Sequence, residues 1–198
     1  MEVELADGRR LFANTGGRPF EPARPVVVLI HGAGADHTLW RGQTRYLAHH
    51  GFAVLAIDLP GHGRSSGEAA TTIESMGDAV SALLDAIDVE SASLVGHSMG
   101  SLVALDVAGR HPGRVSGLVL VATSPVMAVH PALLESAQAG EDRSLELARA
   151  WLHGRHAGGD REPGTWRAGV DWRLTAGIGL DVYAKDLAAC RAWEAAPD

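Results

Sequence analysis

The feature that most constrains the fold is a run of five apolar residues, Val26–Ile30 (VVVLI), leading straight into His31-Gly32. The run is too short for a helix, is rich in β-branched residues and lacks polar alternation, so it predicts a strand buried on both faces. The same signature recurs at 53–57 (AVLAI), 93–95 (SLV) and 115–122 (VSGLVLVA). Strands buried on both faces belong to a parallel sheet, whose crossovers need helices. Helical stretches stand between them at 38–50, from Thr71 onward (TTIESMGDAVSALLDAI) and at 99–110. In the second, Ile73, Met76, Val80, Leu83, Leu84 and Ile87 fall on one face, and a capping box from Thr71 to Glu74 is expected at its start. His111-Pro112-Gly113 ends the third. The fold class is α/β, a doubly wound and mainly parallel sheet. Ahead of it, 3–5 and 10–14 flank Asp7-Gly8 and predict an antiparallel hairpin, followed by a Gly- and Pro-rich loop over 16–25.

After Ser124-Pro125 the character changes, and helical spacing takes over through Leu133, Leu134, Leu145, Leu147, Ala150 and Trp151. Gly154 to Gly164 (GRHAGGDREPG) interrupts it, and further helices are expected over 166–177 and 180–194. The expected division is a core at 1–125, then a helical cap and the start of a return to the core at 126–198.

A chain of 198 residues, 46% hydrophobic, suffices for one core. The net charge of −7 comes without any Lys/Arg cluster, so neither nucleic acid nor membrane is an expected partner. Met1 is followed by Glu2, Glu4 and Asp7 rather than a basic start and apolar core, and no apolar run reaches the ~20 residues of a bilayer span. A cytoplasmic location is expected. Cys190 is the single cysteine, which excludes an intrachain disulfide and a metal site built on paired cysteines. It is read as apolar filler in a late helix, and no metal or cofactor is expected.

Gly96-His97-Ser98-Met99-Gly100 at the end of the 93–95 run fits G-x-S-x-G, in which a strand turns sharply into a helix and leaves the serine at the apex. Side chains on the glycines would crowd neighbouring strands. Ser98 is then a candidate nucleophile, which needs a base and a group to orient that base.

Three motifs, HGAGADHTLW at 31–40, DLPGHGRSSG at 58–67 and GHSMG at 96–100, follow successive expected strands. With them the chain resembles the α/β-hydrolase superfamily, in particular its compact, capped ester and lactone hydrolases. The resemblance implies a small-molecule acyl substrate, Ser98 as nucleophile, and backbone N–H groups of Met99 and Ala33 as the oxyanion hole. Serine at 98 disfavours the dehalogenase and epoxide hydrolase chemistry of relatives with an aspartate nucleophile. Ser101 stands where many relatives have a second glycine, and its small size suits the position. The resemblance also places the acid and base after later strands. Neither is found here, so the chain is expected to be an amino-terminal portion, inactive alone, with VSGLVLVA as an open edge prone to self-association. Amide, peptide or carbon–carbon bond hydrolysis and perhydrolysis (haloperoxidase activity) use the same machinery, and a non-catalytic binding protein is the alternative of another class.

His31, Gly32, His97 and Trp40 are the candidate substrate-binding residues. For His31 a role in holding loop geometry is the stronger reading, and for Trp40 anchoring of the first helix. His62 is read as structural, and Asp58 as a turn-forming hydrogen-bond acceptor. His97 is not expected to reach Ser98 Oγ, and His153 or His156 could descend from the cap as substitute bases. Trp151, Trp166, Trp172 and Trp193 could line an apolar pocket or pack cap helices onto the core.

Overall fold

The computed structural model describes residues 1–153, 175 and 177–194. Its six strands are β1 (Glu2–Glu4), β2 (Arg10–Asn14), β3 (Val26–Ile30), β4 (Ala53–Ile57), β5 (Ala92–His97) and β6 (Val115–Val121). They form one sheet in the order β1-β2-β4-β3-β5-β6. β1 pairs with β2, and β2 with β4, antiparallel; β4, β3, β5 and β6 are parallel. The hairpin and the parallel sheet expected from sequence are both present. Helices α1 (Arg41–His49), α2 (Ile73–Ala86) and α3 (Met99–Arg110) occupy the crossovers.

Every residue of β3 and β4 is buried, because alternate side chains serve opposite faces. Val28, Ile30, Leu55, Ile57 and Leu94 pack with Ile73, Met76, Leu83 and Leu102 of α2 and α3. Val27, Leu29, Val54 and Ala56 pack instead with Trp40 and Ala48 around α1. A strand with helices over both faces has no solvent side, which accounts for the unbroken apolar runs.

One detail differs from expectation, and another decides between two readings. The cap of α2 is Thr72, whose hydroxyl accepts from Ser75 N–H at 3.1 Å while Ser75 Oγ accepts in return from Thr72 N–H at 3.4 Å. The pair Thr71 and Glu74 has the same spacing, but a helix beginning at Ile73 buries that side chain completely. The strand at 115–122, read from its composition as buried on both faces and from the resemblance as an open edge, is partly open: Leu118, Val119 and Val121 are exposed, since β6 is the edge of the described sheet and has a neighbour on one side.

α2 and α3 lie close because Gly77 has no side chain: a Cβ there would overlap the Asp106 carboxylate. Arg110 Nε donates to Asp106 Oδ2 at 2.9 Å, Nη1 to Asp78 at 2.6 Å and Nη2 to the Glu74 carbonyl at 2.8 Å, tying the two helices together.

Beyond β6, α4 (Pro131–Gln138), α5 (Arg143–His153) and α6 (Leu180–Ala192) share a second apolar cluster of Leu133, Leu134, Ala137, Leu145, Tyr183, Ala184 and Leu187. The carboxyl end of α6 belongs to the main core through Ala189, Cys190 and Trp193. Cys190 is buried, and burial followed by the nearby Asp186 charge pushes its thiol up to about 12, which makes it the inert filler expected. Trp193 packs into the core, whereas Trp166, Trp172 and His156 lie outside the described residues, as does most of the helix expected over 166–177. No helix among the described residues is long and apolar enough to cross a membrane.

Candidate active site

Between β5 and α3 stands one residue, Ser98, with φ 51° and ψ −119°. Side chains rarely adopt this backbone region, and it persists only where the surroundings impose it. Here Ser98 N–H donates to the Val121 carbonyl at 2.9 Å, and the Ser98 carbonyl accepts from Ser101 N–H at 2.8 Å and Ser101 Oγ at 2.5 Å. Ser101 therefore fastens the turn. The flanking glycines permit it: a Cβ on Gly96 would overlap the Gly100 carbonyl, and one on Gly100 would overlap the Ile30 and His31 carbonyls. Met99 is the first helical residue, so its N–H has no partner one turn back and sits at the positive end of α3.

The loop after β3 faces this elbow. A Cβ on Gly32 would stand 3.2 Å from Ser98 Cβ and 3.1 Å from His97 Nδ1, so the missing side chain lets the loop approach. Gly32 O and Ala33 N–H belong to one planar trans peptide and point in opposite directions. The oxygen is held by His31 Nδ1 at 2.8 Å and by Ala35 N–H at 3.2 Å, which fixes the direction of the Ala33 N–H.

A cavity of about 500 Å3 lies against both segments. Its wall includes Gly32, Ala33, His97 and Ser98 from the core, with Leu133, Trp151 and Tyr183 from the later helices. Of the candidate substrate-binding residues, Gly32 and His97 are in this wall. His31 and Trp40 are buried behind it: Trp40 meets the edge of the His97 ring at 6.4 Å between centroids. They support the wall rather than face the cavity. Met99 is buried, so of the two candidate oxyanion-hole residues only Ala33 is in the wall. Sequence does not mark Tyr183, Leu133 and Leu187 as wall residues, because helical spacing marks a buried face without saying which part of it borders a cavity. Burial, then the Asp186 charge, pushes the Tyr183 phenol up to about 12, so it remains a neutral donor.

Three histidines beside the site are committed to other partners. His31 Nε2 accepts from Leu59 N–H at 3.1 Å, so with Nδ1 as donor this fully buried ring is neutral. His62 uses Nδ1 on the Pro60 carbonyl at 3.0 Å and Nε2 on Asp186 Oδ2 at 2.9 Å, a two-donor arrangement that makes it an imidazolium. His37 is bonded through Nδ1 to Asp58 at 2.8 Å, and Asp58 also accepts from the His37 and Arg64 N–H groups. Asp58 is thus the loop-organising acceptor expected.

These environments dictate a pH dependence of stability. Burial, reinforced by the His62 charge 4.8 Å away between ring centroids, holds His31 down at about 4 against an ordinary 6.5. The unfolded chain therefore binds the His31 proton first, and stability falls as pH drops from about 6.5 to about 4, by roughly 3 kcal/mol. Burial opposes the charge on His62, but the hydrogen bond and charge of Asp186 raise it above 6.5. That contribution is complete below 6.5 and is lost as pH rises through the raised value. Urea unfolding from pH 4 to 9 is expected to show a maximum just above 6.5, and a flat profile between pH 4 and 6.5 would contradict the assignment.

A family model described as alpha/beta hydrolase fold matches residues 25–158. The pimeloyl-[acyl-carrier protein] methyl ester esterase of Aromatoleum aromaticum is 41% identical over 108 residues, which are 54% of this chain and 41% of that protein. The crystal structure of a hydrolase from Pseudomonas aeruginosa PA01 matches with a TM-score of 0.80 at 26% identity, covering 98% of this chain and 73% of that one. An enol-lactonase from Burkholderia xenovorans LB400 matches with a TM-score of 0.82 at 24% identity, covering 98% and 75%, a likeness of fold. The chain spans less than half the length of the curated relatives it matches.

Proposed function

The chain belongs to the α/β-hydrolase family, and from that premise we propose that it is a serine hydrolase of carboxylic esters or lactones with Ser98 as nucleophile. The observation that carries the reading is the left-handed φ of Ser98 at the junction of β5 and α3, facing a cavity and the loop that holds Ala33. Ser98 Oγ bonds to the substrate carbonyl carbon as its proton passes to a base, and the carbonyl electron pair moves onto oxygen. The N–H groups of Met99 and Ala33 stabilise that oxyanion. Collapse expels the alcohol, which takes up a proton, and water then releases the acid from the acyl-enzyme. The named relative that is a methyl ester esterase supports an ester substrate, and the largely apolar wall supports an uncharged acyl group.

His31 and His62 have both ring nitrogens engaged, and His37, bonded to Asp58 through Nδ1, is not in the cavity wall, so none of the three is assigned here as the base. The test is a panel of p-nitrophenyl esters and lactones followed by acid quench and peptide mass spectrometry. An acyl adduct on Ser98 is expected, and turnover with no adduct there would refute the mechanism.

A further inference from the structure

We infer that Asp186 of α6 is a positioning residue for the oxyanion hole, holding the Ala33 N–H in place through a hydrogen bond to the next peptide. This rests on the proposed role of the 31–36 loop and names a residue of that machinery outside its motifs.

Asp186 is fully buried, 152 residues away in sequence from the glycine it holds. Its Oδ2 accepts from Gly34 N–H at 2.8 Å and from His62 Nε2 at 2.9 Å, so the loops after β3 and β4 and helix α6 meet on a single oxygen. Oδ1 has no hydrogen-bond partner among the described residues, so the hold is concentrated in these two bonds. A carboxylate removed from water needs a counter-charge, and the imidazolium of His62 supplies it.

The bond falls where it controls the donor. The peptide before Ala33 is pinned by His31 and Ala35 through the Gly32 oxygen, and the peptide after Ala33 is pinned by Asp186 through Gly34 N–H. One residue's φ and ψ separate the two planes, so fixing both fixes the Ala33 N–H. Gly34 has φ 62°, and a Cβ there would come within 2.7 Å of the Tyr183 ring and of Thr175. The loop therefore lies flat against α6, which also contributes Tyr183 and Leu187 to the cavity wall. One helix thus shapes the acyl pocket and sets the oxyanion donor.

The test measures phosphonylation of Ser98 by a fluorophosphonate, a reaction that develops negative charge on the same oxygen position. Asp186→Ala is expected to label about 10- to 100-fold more slowly, the loss typical of a displaced catalytic geometry. Asp186→Asn can set its amide oxygen where Oδ2 stands, accepting from both Gly34 N–H and His62 Nε2–H, and is expected to label within about threefold of the parent, since an isosteric acceptor restores the hydrogen bond. Equal labelling of the alanine and parent proteins, or equal slowing in both variants at unchanged melting temperature, would overturn the inference. If the alanine variant does not fold, hydrogen exchange on the parent decides: the Gly34 amide should exchange as slowly as β3 amides, and exchange at an open-loop rate would overturn it. Absence of any label on Ser98 in the parent would instead remove the serine hydrolase reading, with the Gly34 amide still testing the hold on the loop.

Discussion

Gly100→Val is expected to cost the protein about 4 kcal/mol or more, enough to leave much of the chain unfolded at 37 °C. The glycine is buried in the first turn of α3, and a Cβ built on it would lie 2.5 Å from the His31 carbonyl oxygen and closer still to that of Ile30. Both are backbone atoms at the end of β3, the central strand of the parallel sheet, and a strand bonded on both sides cannot step aside as a flexible side chain would. Ordinary overpacking of a core costs ~1–3 kcal/mol because side chains rearrange, and here that relief is missing. Gly96→Val meets the Gly100 carbonyl and should behave alike. Gly109→Val is the control, since a Cβ there meets nothing within 4 Å. Chemical denaturation of the three variants checks this, and comparable stability of Gly100→Val and Gly109→Val would refute it.

The elements that sequence made legible are those whose cause is local. Val26–Ile30 and Ala53–Ile57 had to be buried strands because nothing in them faces water, and Gly96 and Gly100 bracket Ser98 at the spacing a sharp turn requires. The start of α2 was misplaced by one residue because two overlapping pairs, Thr71 with Glu74 and Thr72 with Ser75, carry the same capping spacing. Only the burial of Ile73 decides between them. The exposure of Val119 was not legible from its own composition, since an edge strand and a central strand of the same residues differ in their neighbours.

Asp186 shows what remained hidden and where a signal was available. In DVYAKDLAAC it reads as an ordinary polar helix residue, yet it shares a face with Tyr183 and Cys190 at i−3 and i+4, both buried. An acid on an apolar stripe demands a partner, but the stripe does not say which one. His62 and Gly34, more than a hundred residues away, became its partners through the meeting of two loops and a helix that no spacing encodes. His37 escaped notice as the partner of Asp58 for the same reason.

The two replacements of Ser98 separate chemistry from strain. Ser98→Ala removes the nucleophile, so phosphonylation and acyl transfer at this position are expected to vanish, while stability should change by no more than about 0.5 kcal/mol. Alanine keeps a Cβ, and the backbone at φ 51°, ψ −119° is no easier for it than for serine. Ser98→Gly removes the Cβ as well. The backbone strain, of order 1–3 kcal/mol for such a residue, then disappears, partly offset by the ~1 kcal/mol of extra entropy glycine loses on folding. A net gain of about 1 kcal/mol should raise the melting temperature by ~2–4 °C for a chain of this length, with labelling still abolished. Calorimetric melts of parent, alanine and glycine proteins read this directly. If alanine and glycine shift the melt equally, the strain does not reside in the Cβ of Ser98, and the elbow is held open by the bonds of Ser98 to Val121 and Ser101 without opposing them.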